Sequence, residues 1–335
     1  MEWFNFHFSD FAFSFLSILF EGIPFLLLGA VIAGFVDVFV PARWLTQVLP
    51  KNPTAAVFLS GLLGIIFPMC ECGSVIVIRR FLTKGLPVSS AVAYMLAAPI
   101  VSPIVAISTF AAFRGQNPWM MTSMRLLIGY GVAVGAALIV QRLPLEKVLA
   151  RALYRSLPPR DGGAGPEAAI DDGGAGVATR ARRRKGRKLR IAAVPQGEEG
   201  IGTKLLRVAR STTPDFLDVT LFFVIGAAVA ALFNTAIDQS VILPLASNTV
   251  LATLSMMGLA SLLALCSSTD AFIAATFVAF PFTAKLAFLV FGPLVDVKLF
   301  FLYGLVFRRR FIVLLSIGLF VAVALICLRM NVLDM

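Results

Sequence analysis

The chain is poor in charge, in histidine and in cysteine, and each shortage excludes a class of protein. Only 14% of its 335 residues are charged and 59% are hydrophobic, which is more apolar surface than a soluble domain of this size can bury. With His7 as its one histidine, the chain is a poor candidate for His-based catalysis or a His-rich zinc site. Four cysteines at these spacings do not form a secreted disulfide framework. We find no nucleotide-binding loop and no Ser/His/Asp arrangement, and we expect no enzyme.

Long hydrophobic runs are abundant instead, and they predict an all-α polytopic membrane protein. We expect about eight hydrophobic segments, some of them broken or re-entrant. The runs cover residues 11–40, 55–81, 86–113, 119–140, 216–237, 250–280, 285–307 and 311–328. Residues 1–10 contain no Lys or Arg, so the first run is predicted to remain as a helix rather than to be cleaved as a signal peptide.

Positive charge is concentrated in one segment between the hydrophobic halves. Residues 142–210 carry 16 Lys and Arg against 7 Asp and Glu, and the Gly-, Ala- and Pro-rich stretch Pro158 to Gly176 is typical of disorder. Basic loops of membrane proteins stay in the cytoplasm and attract anionic lipid. We therefore expect a cytoplasmic linker at 142–213 rather than a nucleic-acid site, between a first transmembrane repeat at 1–141 and a second at 214–335.

The two hydrophobic halves look like copies, because pairs of unusual residues recur at equal spacing. The pairs are Glu21 and Gly29 with Asp218 and Gly226, eight residues apart, and Cys72 and Pro99 with Cys266 and Pro293, 27 residues apart. An odd number of crossings in each half would place most basic loops on one side of the membrane and make the repeats inverted. Transporters built from repeats hold their solute at midplane between them, and we expect a site there.

Two thiols and a carboxylate interrupt the second hydrophobic run, at Cys70, Glu71 and Cys72. Pro68 before them and Gly73 after them predict an unwound turn, which residues two apart need in order to face one ligand. Thiolates prefer soft partners such as Zn, Cu(I) or trivalent arsenic. We therefore predict that this motif binds a solute, with these three side chains as candidate metal ligands. The alternative is that both cysteines are small buried hydrophobic residues.

A second polar break in the other half is the predicted counterpart of the first. It consists of Cys266, Ser267, Ser268 and Asp270. The hydroxyls and the carboxylate are candidates for binding a polar solute. Alternatively, Ser267 caps the helix that follows, and Asp270 complements the dipole of that helix.

Other ionisable, polar or helix-breaking residues in apolar runs are candidates for gating or coupling. They are Glu21, Pro99, Ser102, Asp218, Pro293, Asp296 and Lys298. Asp296 and Lys298 are predicted to neutralise each other. Alternatively, Lys298 extends its ammonium group toward the membrane surface. Glu21 and Asp218 also fit helix ends near the interface. Cys327, near the end of the last run, is predicted to face lipid.

Five stretches spread over both halves form a characteristic set of motifs. They are Phe-Pro-Met-Cys-Glu-Cys-Gly at 67–73, Arg-Arg-Phe-Leu-Thr-Lys-Gly-Leu-Pro at 79–87, Leu-Ala-Ala-Pro-Ile-Val-Ser-Pro at 96–103, Cys-Ser-Ser-Thr-Asp-Ala-Phe at 266–272 and Leu-Val-Phe-Gly-Pro-Leu-Val-Asp-Val-Lys at 289–298. Together they resemble predicted permeases related to the organoarsenical efflux permease. The resemblance implies a permease of the inner membrane, and the best-described members export trivalent organoarsenicals. The Cys-Glu-Cys-Gly form is most similar to a branch described as one subunit of a two-component permease.

From the residues and the resemblance together, we expect a permease in the lipid bilayer for a small thiophilic solute, either a soft metal ion or a trivalent metalloid compound. A bound soft metal ion is the only cofactor that the motif suggests. The expected partners are a second permease subunit or further copies of the chain, and no nucleic acid. The alternatives are a membrane-embedded thiol-redox or sulfur-handling protein, and a structural subunit whose partner holds the site.

Overall fold

A computed structural model describes residues 8–39, 50, 52–150, 153–154, 201–236 and 248–333. Within these ranges the chain forms thirteen α-helices and no β-strand. They are α1 Phe8–Phe39, α2 Pro53–Ile66, α3 Glu71–Thr83, α4 Val88–Val101, α5 Pro103–Ala112, α6 Pro118–Gln141, α7 Leu145–Val148, α8 Ile201–Ala236, α9 Thr249–Leu263, α10 Thr269–Thr276, α11 Phe282–Phe291, α12 Val297–Tyr303 and α13 Arg309–Leu333. The centre of the linker, Pro158 to Gly176, lies outside the described residues.

Five helical stretches within the described residues are long and apolar enough to cross a membrane, and one of them runs through both α4 and α5. The apolar spans are Phe8–Phe35, Val88–Ala112, Pro118–Gln141, Leu206–Phe233 and Arg309–Met330. Three shorter apolar helices, α2, α9 and α11, add to them. The prediction of an all-helical polytopic membrane protein with broken segments is confirmed.

Each half contains two breaks, and these breaks divide its hydrophobic runs. Residues 67–70 separate α2 from α3, and residues 264–268 separate α9 from α10. The other two breaks lie at Ser102 and at residues 292–296. At Ser102 the backbone is extended because Pro103 follows and disfavours the helical conformation of the residue before it. Pro99, one of the candidate helix-breaking residues, is instead buried within α4, and the helix continues past it to Val101.

The first helices of the two halves pack against each other in antiparallel directions. Gly22 of α1 lies against the ring of Phe223 in α8, and further along α1 the carbonyl of Ala30 accepts a hydrogen bond of 3.3 Å from Thr212 Oγ1. Higher residue numbers in one helix therefore meet lower numbers in the other. Counterpart helices that run in opposite directions are the arrangement that inverted repeats require.

The remaining helices repeat the same contacts in each half. Helix α4 packs between α2 and α6, and α11 packs between α9 and α13. Across the halves, α3 packs against α12 and α5 packs against α10. Thus four short helices that begin or end at a break meet in the middle of the molecule.

Two observations differ from the sequence analysis at the ends of the second half. Helix α8 begins at Ile201, inside the segment assigned to the linker, because its first turns pack on α1 through Val208 and Thr212. Cys327 is fully buried rather than exposed to lipid. Helix α13 carries it and packs against α9 and α11, with Phe320 edge-on to Phe291 at 5.4 Å.

Candidate functional site

The first break places the Cys-Glu-Cys motif at the start of α3. Cys70 is the N-cap residue, and its Sγ accepts a hydrogen bond of 3.4 Å from the Gly73 amide. Glu71 is the first residue of the helix and is 2% exposed. Gly73 contacts α1 so closely that a Cβ on Gly29 would lie 2.7 Å from its Cα. The two glycines therefore allow α1 to pack directly over the motif.

Lys298 joins this motif to the second half through a buried charge cluster. Its Nζ lies 3.1 Å from Glu71 Oε1 and 3.4 Å from Asp296 Oδ2. It also donates hydrogen bonds to the carbonyls of Ala264 (2.7 Å) and Leu265 (2.8 Å). These carbonyls belong to the second break, where Ala264 adopts a left-handed conformation (φ 49°) and ends α9. An ammonium has three N–H groups and here faces four acceptors, so it satisfies both the acids and the unwound backbone.

Asp296 has two roles in this cluster. Its Oδ1 accepts a hydrogen bond of 2.6 Å from the Leu299 amide and caps α12, while its Oδ2 faces Lys298. The sequence left open whether Asp296 and Lys298 neutralise each other or Lys298 reaches the membrane surface. Lys298 is 4% exposed, so the structure shows the pair.

Arg125, which the sequence analysis missed, supports the second break from the other side. It lies on α6 in the first half and is fully buried. Its guanidinium donates 2.7 Å hydrogen bonds to Thr109 Oγ1 and to the Ser267 carbonyl, and the Asp270 carboxylate lies within its electrostatic reach. An arginine in the apolar run 119–140 was the available signal, because charged residues at membrane depth are costly and usually functional.

A narrow cavity brings together three of the four cysteines. Cys70 and Cys72 line it from the first half, and Cys266 lines it from the second. Glu71 and Lys298 also reach this cavity, and its other walls are residues of α1 and α8 together with Ala264: Ile18, Glu21, Gly22, Phe25 and Phe223. Its volume is about 20 Å³, room for about one water-sized particle. A larger solute must widen it.

A second cavity of about 60 Å³ adjoins the first, and we call it the vestibule. Phe25, Cys70 and Cys266 line both. The vestibule extends between α1 and the starts of α5 and α10, and its further lining residues are Leu28, Pro68, Met69, Ser102, Ile104, Val105, Ser267 and Ser268. The predicted residues Ser102, Ser267 and Ser268 therefore lie on one path to the thiols.

The remaining candidate residues do not line either cavity. Asp270, in the first turn of α10, is 1% exposed, and its Oδ2 has no hydrogen-bond partner among the described residues. Ser268, not Ser267, is the N-cap residue of that helix. Asp218 pairs with Arg79 at 3.5 Å on the surface. Pro293 is buried in the break between α11 and α12.

Glu21 bridges the halves at the cavity. Its Oε1 accepts a hydrogen bond of 2.5 Å from Thr269 Oγ1 at the start of α10. This contact joins α1 to the second break across 248 positions of sequence. The sequence also allowed Glu21 to lie at a helix end near the membrane interface. It lies instead in the interior of α1.

All four cysteines are free thiols. In the part of the chain that the structure describes, no group of three or more His, Cys, Asp and Glu side chains is arranged to hold a metal ion.

Comparisons with known proteins agree with this architecture. The model of a family described as predicted permeases matches residues 7–332. The UPF0718 protein YcgR of Bacillus subtilis is 34% identical over 305 residues, which cover 90% of each chain. A putative two-component membrane permease complex subunit of Streptococcus mutans is 29% identical over 299 residues, or 89% of this chain and 87% of its own. No solved structure matches the chain.

Proposed function

Because the chain belongs to the predicted permease family and is a multi-pass membrane permease, we propose that it carries a small thiophilic solute. The solute is a soft metal ion or a trivalent metalloid compound, and its site is the cavity lined by Cys70, Cys72 and Cys266. These thiols have to move closer together around the solute, because no group of such side chains among the described residues is already arranged to hold a metal ion. One observation carries the proposal: thiols from both halves meet in one cavity between the repeats. Sulfur ligands select soft partners over the hard ions that oxygen ligands favour.

The groups around the thiols supply what soft-ligand chemistry needs. Thiols lose protons when they bind a metal or metalloid, because the thiolate is the ligand. Glu71 lines the same cavity, and its Oε2 has no hydrogen-bond partner among the described residues, so it is available to accept such a proton. Lys298 holds Glu71 Oε1 in place and balances its charge. Transport then begins with solute entering by the vestibule past Ser102, Ser267 and Ser268.

We propose for the other buried acids a part in coupling rather than in binding. Arg125 and Lys298 are the two cations that hold the second break. Asp296 lies 3.4 Å from Lys298, and Asp270 lies within the electrostatic reach of Arg125. A change of charge on either acid would alter how firmly that break is held. The surface acid Asp218 is the weakest of these candidates, because its contact with Arg79 is exposed.

We place the permease in the inner membrane with its basic linker in the cytoplasm, as the surplus of positive charge in that segment favours. A second subunit is a further proposal. It is supported by the Streptococcus mutans relative, whose name describes one subunit of a two-component permease complex.

A binding measurement tests the site. Purified chain in detergent is equilibrated separately with phenylarsine oxide, Cu(I) and Zn(II), freed of excess by gel filtration, and analysed for each element. We expect about one equivalent of arsenic or of one soft metal per chain. The double variant Cys70→Ser/Cys72→Ser should lose it.

Cys327→Ser is the matched control, because Cys327 is also a free thiol but is buried on α13 outside the cavity. It should bind as the wild-type chain does. Equal amounts of bound element in the wild-type chain and in the double variant would refute the site. Loss of binding in Cys327→Ser alone would show that the solute binds at Cys327 and not in the cavity.

A further inference from the structure

The packing of α1 and α8 breaks the symmetry between the two halves. Helix α1 lies on α3, where Gly29 meets Gly73, and α8 lies on α12, where a Cβ on Gly226 would lie 2.8 Å from the Cα of Lys298. Helices α3 and α12 are not counterparts in the two repeats. The first helices of the two repeats, α1 and α8, therefore pack on helices that do not correspond to each other.

The spacing of the repeats shows where the missing symmetric contacts would form. Because Cys72 corresponds to Cys266 and Pro99 to Pro293, Gly73 corresponds to Ser267 and Lys298 corresponds to Ile104. The symmetric contacts would thus join Gly226 to Ser267 and Gly29 to Ile104. Ser267 and Ile104 both line the vestibule, and Ile104 is 57% exposed. The vestibule therefore lies where the symmetric contacts of α1 and α8 with α5 and α10 would form.

On the opposite side from the vestibule, where α1 and α8 cover α3 and α12, an ion pair joins α3 to α8. On α3, Gly73, Val77 and Arg80 follow at helical spacing on the face that α1 and α8 cover. Val77 is 1% exposed. Arg80 Nε lies 2.5 Å from Asp215 Oδ2 on α8, with side-chain exposures of 22% and 12%. A pair this sheltered is screened less by solvent than the exposed Arg79–Asp218 pair next to it.

We propose that α1 and α8 move as one gate between two positions, and that the Arg80–Asp215 pair latches the position seen here. In this position the gate covers α3 and α12 and leaves the thiol cavity open through the vestibule. In the other position it packs on α5 and α10, closes the vestibule and opens the face that holds Val77. Two such positions related by the repeat symmetry give a permease access to its site from either side in turn.

The proposal rests on the transport function proposed above, but its test reads the gate without any solute. Single cysteines are introduced at Ile104, on the open side, and at Val77, on the covered side. The chains are purified in lipid nanodiscs and treated with a water-soluble maleimide. Labelling is measured at those two positions by peptide mass spectrometry, so the native cysteines do not interfere. In the otherwise native chain, position 104 should react much faster than position 77.

Removing the latch should move both rates, in opposite directions. With Arg80→Ala we expect labelling at position 77 to rise and labelling at 104 to fall, each by about fivefold or more. The exchange Arg80→Asp/Asp215→Arg should restore both rates, which lost folding would not do. Arg79→Ala, which removes the exposed pair on the same helix, should change neither by more than about twofold.

A second variant tests the same gate through packing instead of charge. Gly73→Val places a branched side chain against the Phe25 carbonyl of α1, a contact made only in the present position, and should shift the two rates as Arg80→Ala does. Gly131→Val is its control, because a Cβ there meets no atom within 4 Å. A rise at position 77 without a fall at position 104 would mean local loosening of α3, and it would overturn the proposal, as would unchanged rates. Failure to bind or carry a thiophilic solute would leave the gate intact and refute only the proposed function.

Discussion

Replacing Lys298 with methionine is expected to remove most of the stability of the folded protein. The change leaves the carboxylates of Glu71 and Asp296 buried without their cation, and breaking a buried ion pair on one side costs about 3–5 kcal/mol. The carbonyls of Ala264 and Leu265 also lose their donor, at about 1–3 kcal/mol for each buried group left unpaired. These losses together are comparable with the whole stability of a typical domain, about 5–15 kcal/mol.

Thermal unfolding in detergent and the yield of monodisperse protein measure this effect. Lys285→Met is the matched control, because Lys285 is also buried but its ammonium donates to the neutral amide oxygen of Gln116. It should cost only about 1 kcal/mol. Adding Glu71→Gln and Asp296→Asn to Lys298→Met should recover part of the loss, since no unpaired charge then remains. A single variant at Lys298 as stable as the one at Lys285 would show that the cluster does not hold the halves together.

Arg125→Met is expected to have the second largest effect, on stability and on the shape of the second break. It leaves Thr109 Oγ1 and the Ser267 carbonyl without a donor and removes the cation near Asp270. We expect a loss of about 3–5 kcal/mol, as for one side of a buried charge pair. Arg125→Lys keeps the charge but not the forked geometry, so it should recover part of the stability.

The thiol at Cys266 reports the position of the break independently of stability. In Arg125→Met the Ser267 carbonyl is released next to Cys266, so we expect the rate at which Cys266 reacts with a maleimide to rise. Arg114→Met, on the exposed loop after α5, is the control and should leave both the unfolding temperature and this rate unchanged. An unaltered Cys266 rate in a folded Arg125→Met chain would show that Arg125 does not position the break.

Local sequence was sufficient to predict the break before α3. Pro68 and Gly73 disturb a helix wherever they occur, so the unwound turn before α3 followed from chemistry that acts within a few residues. The acidic cap at Asp296 is equally local, because its side chain bonds an amide three positions on, but the sequence analysis considered only the pairing of Asp296 with Lys298. The prediction of two repeats rested on equal spacings between paired residues, which a duplication leaves in a chain.

Contacts between segments that are distant in the chain could not be predicted from the sequence. Nothing near Glu21 indicates that it bonds Thr269, because that contact depends on how α1 packs on the second half. The choice between Pro99 and Ser102 as the break depended on whether neighbouring helices could accommodate a proline inside α4. Cys327 was assigned to lipid since its run is apolar all round, and such a run does not show which face another helix covers.

Flux of a thiophilic solute through a thiol site between the halves is the central claim, and vesicles measure it most directly. Proteoliposomes holding the wild-type chain, Cys70→Ser/Cys72→Ser or Cys327→Ser are given phenylarsine oxide, Cu(I) or Zn(II), and the trapped element is measured over time. We predict uptake of at least one of the three by the wild-type chain and by Cys327→Ser, and the rate of empty vesicles for the double variant. Equal flux with and without Cys70 and Cys72, or no wild-type flux of any of the three, would contradict the claim.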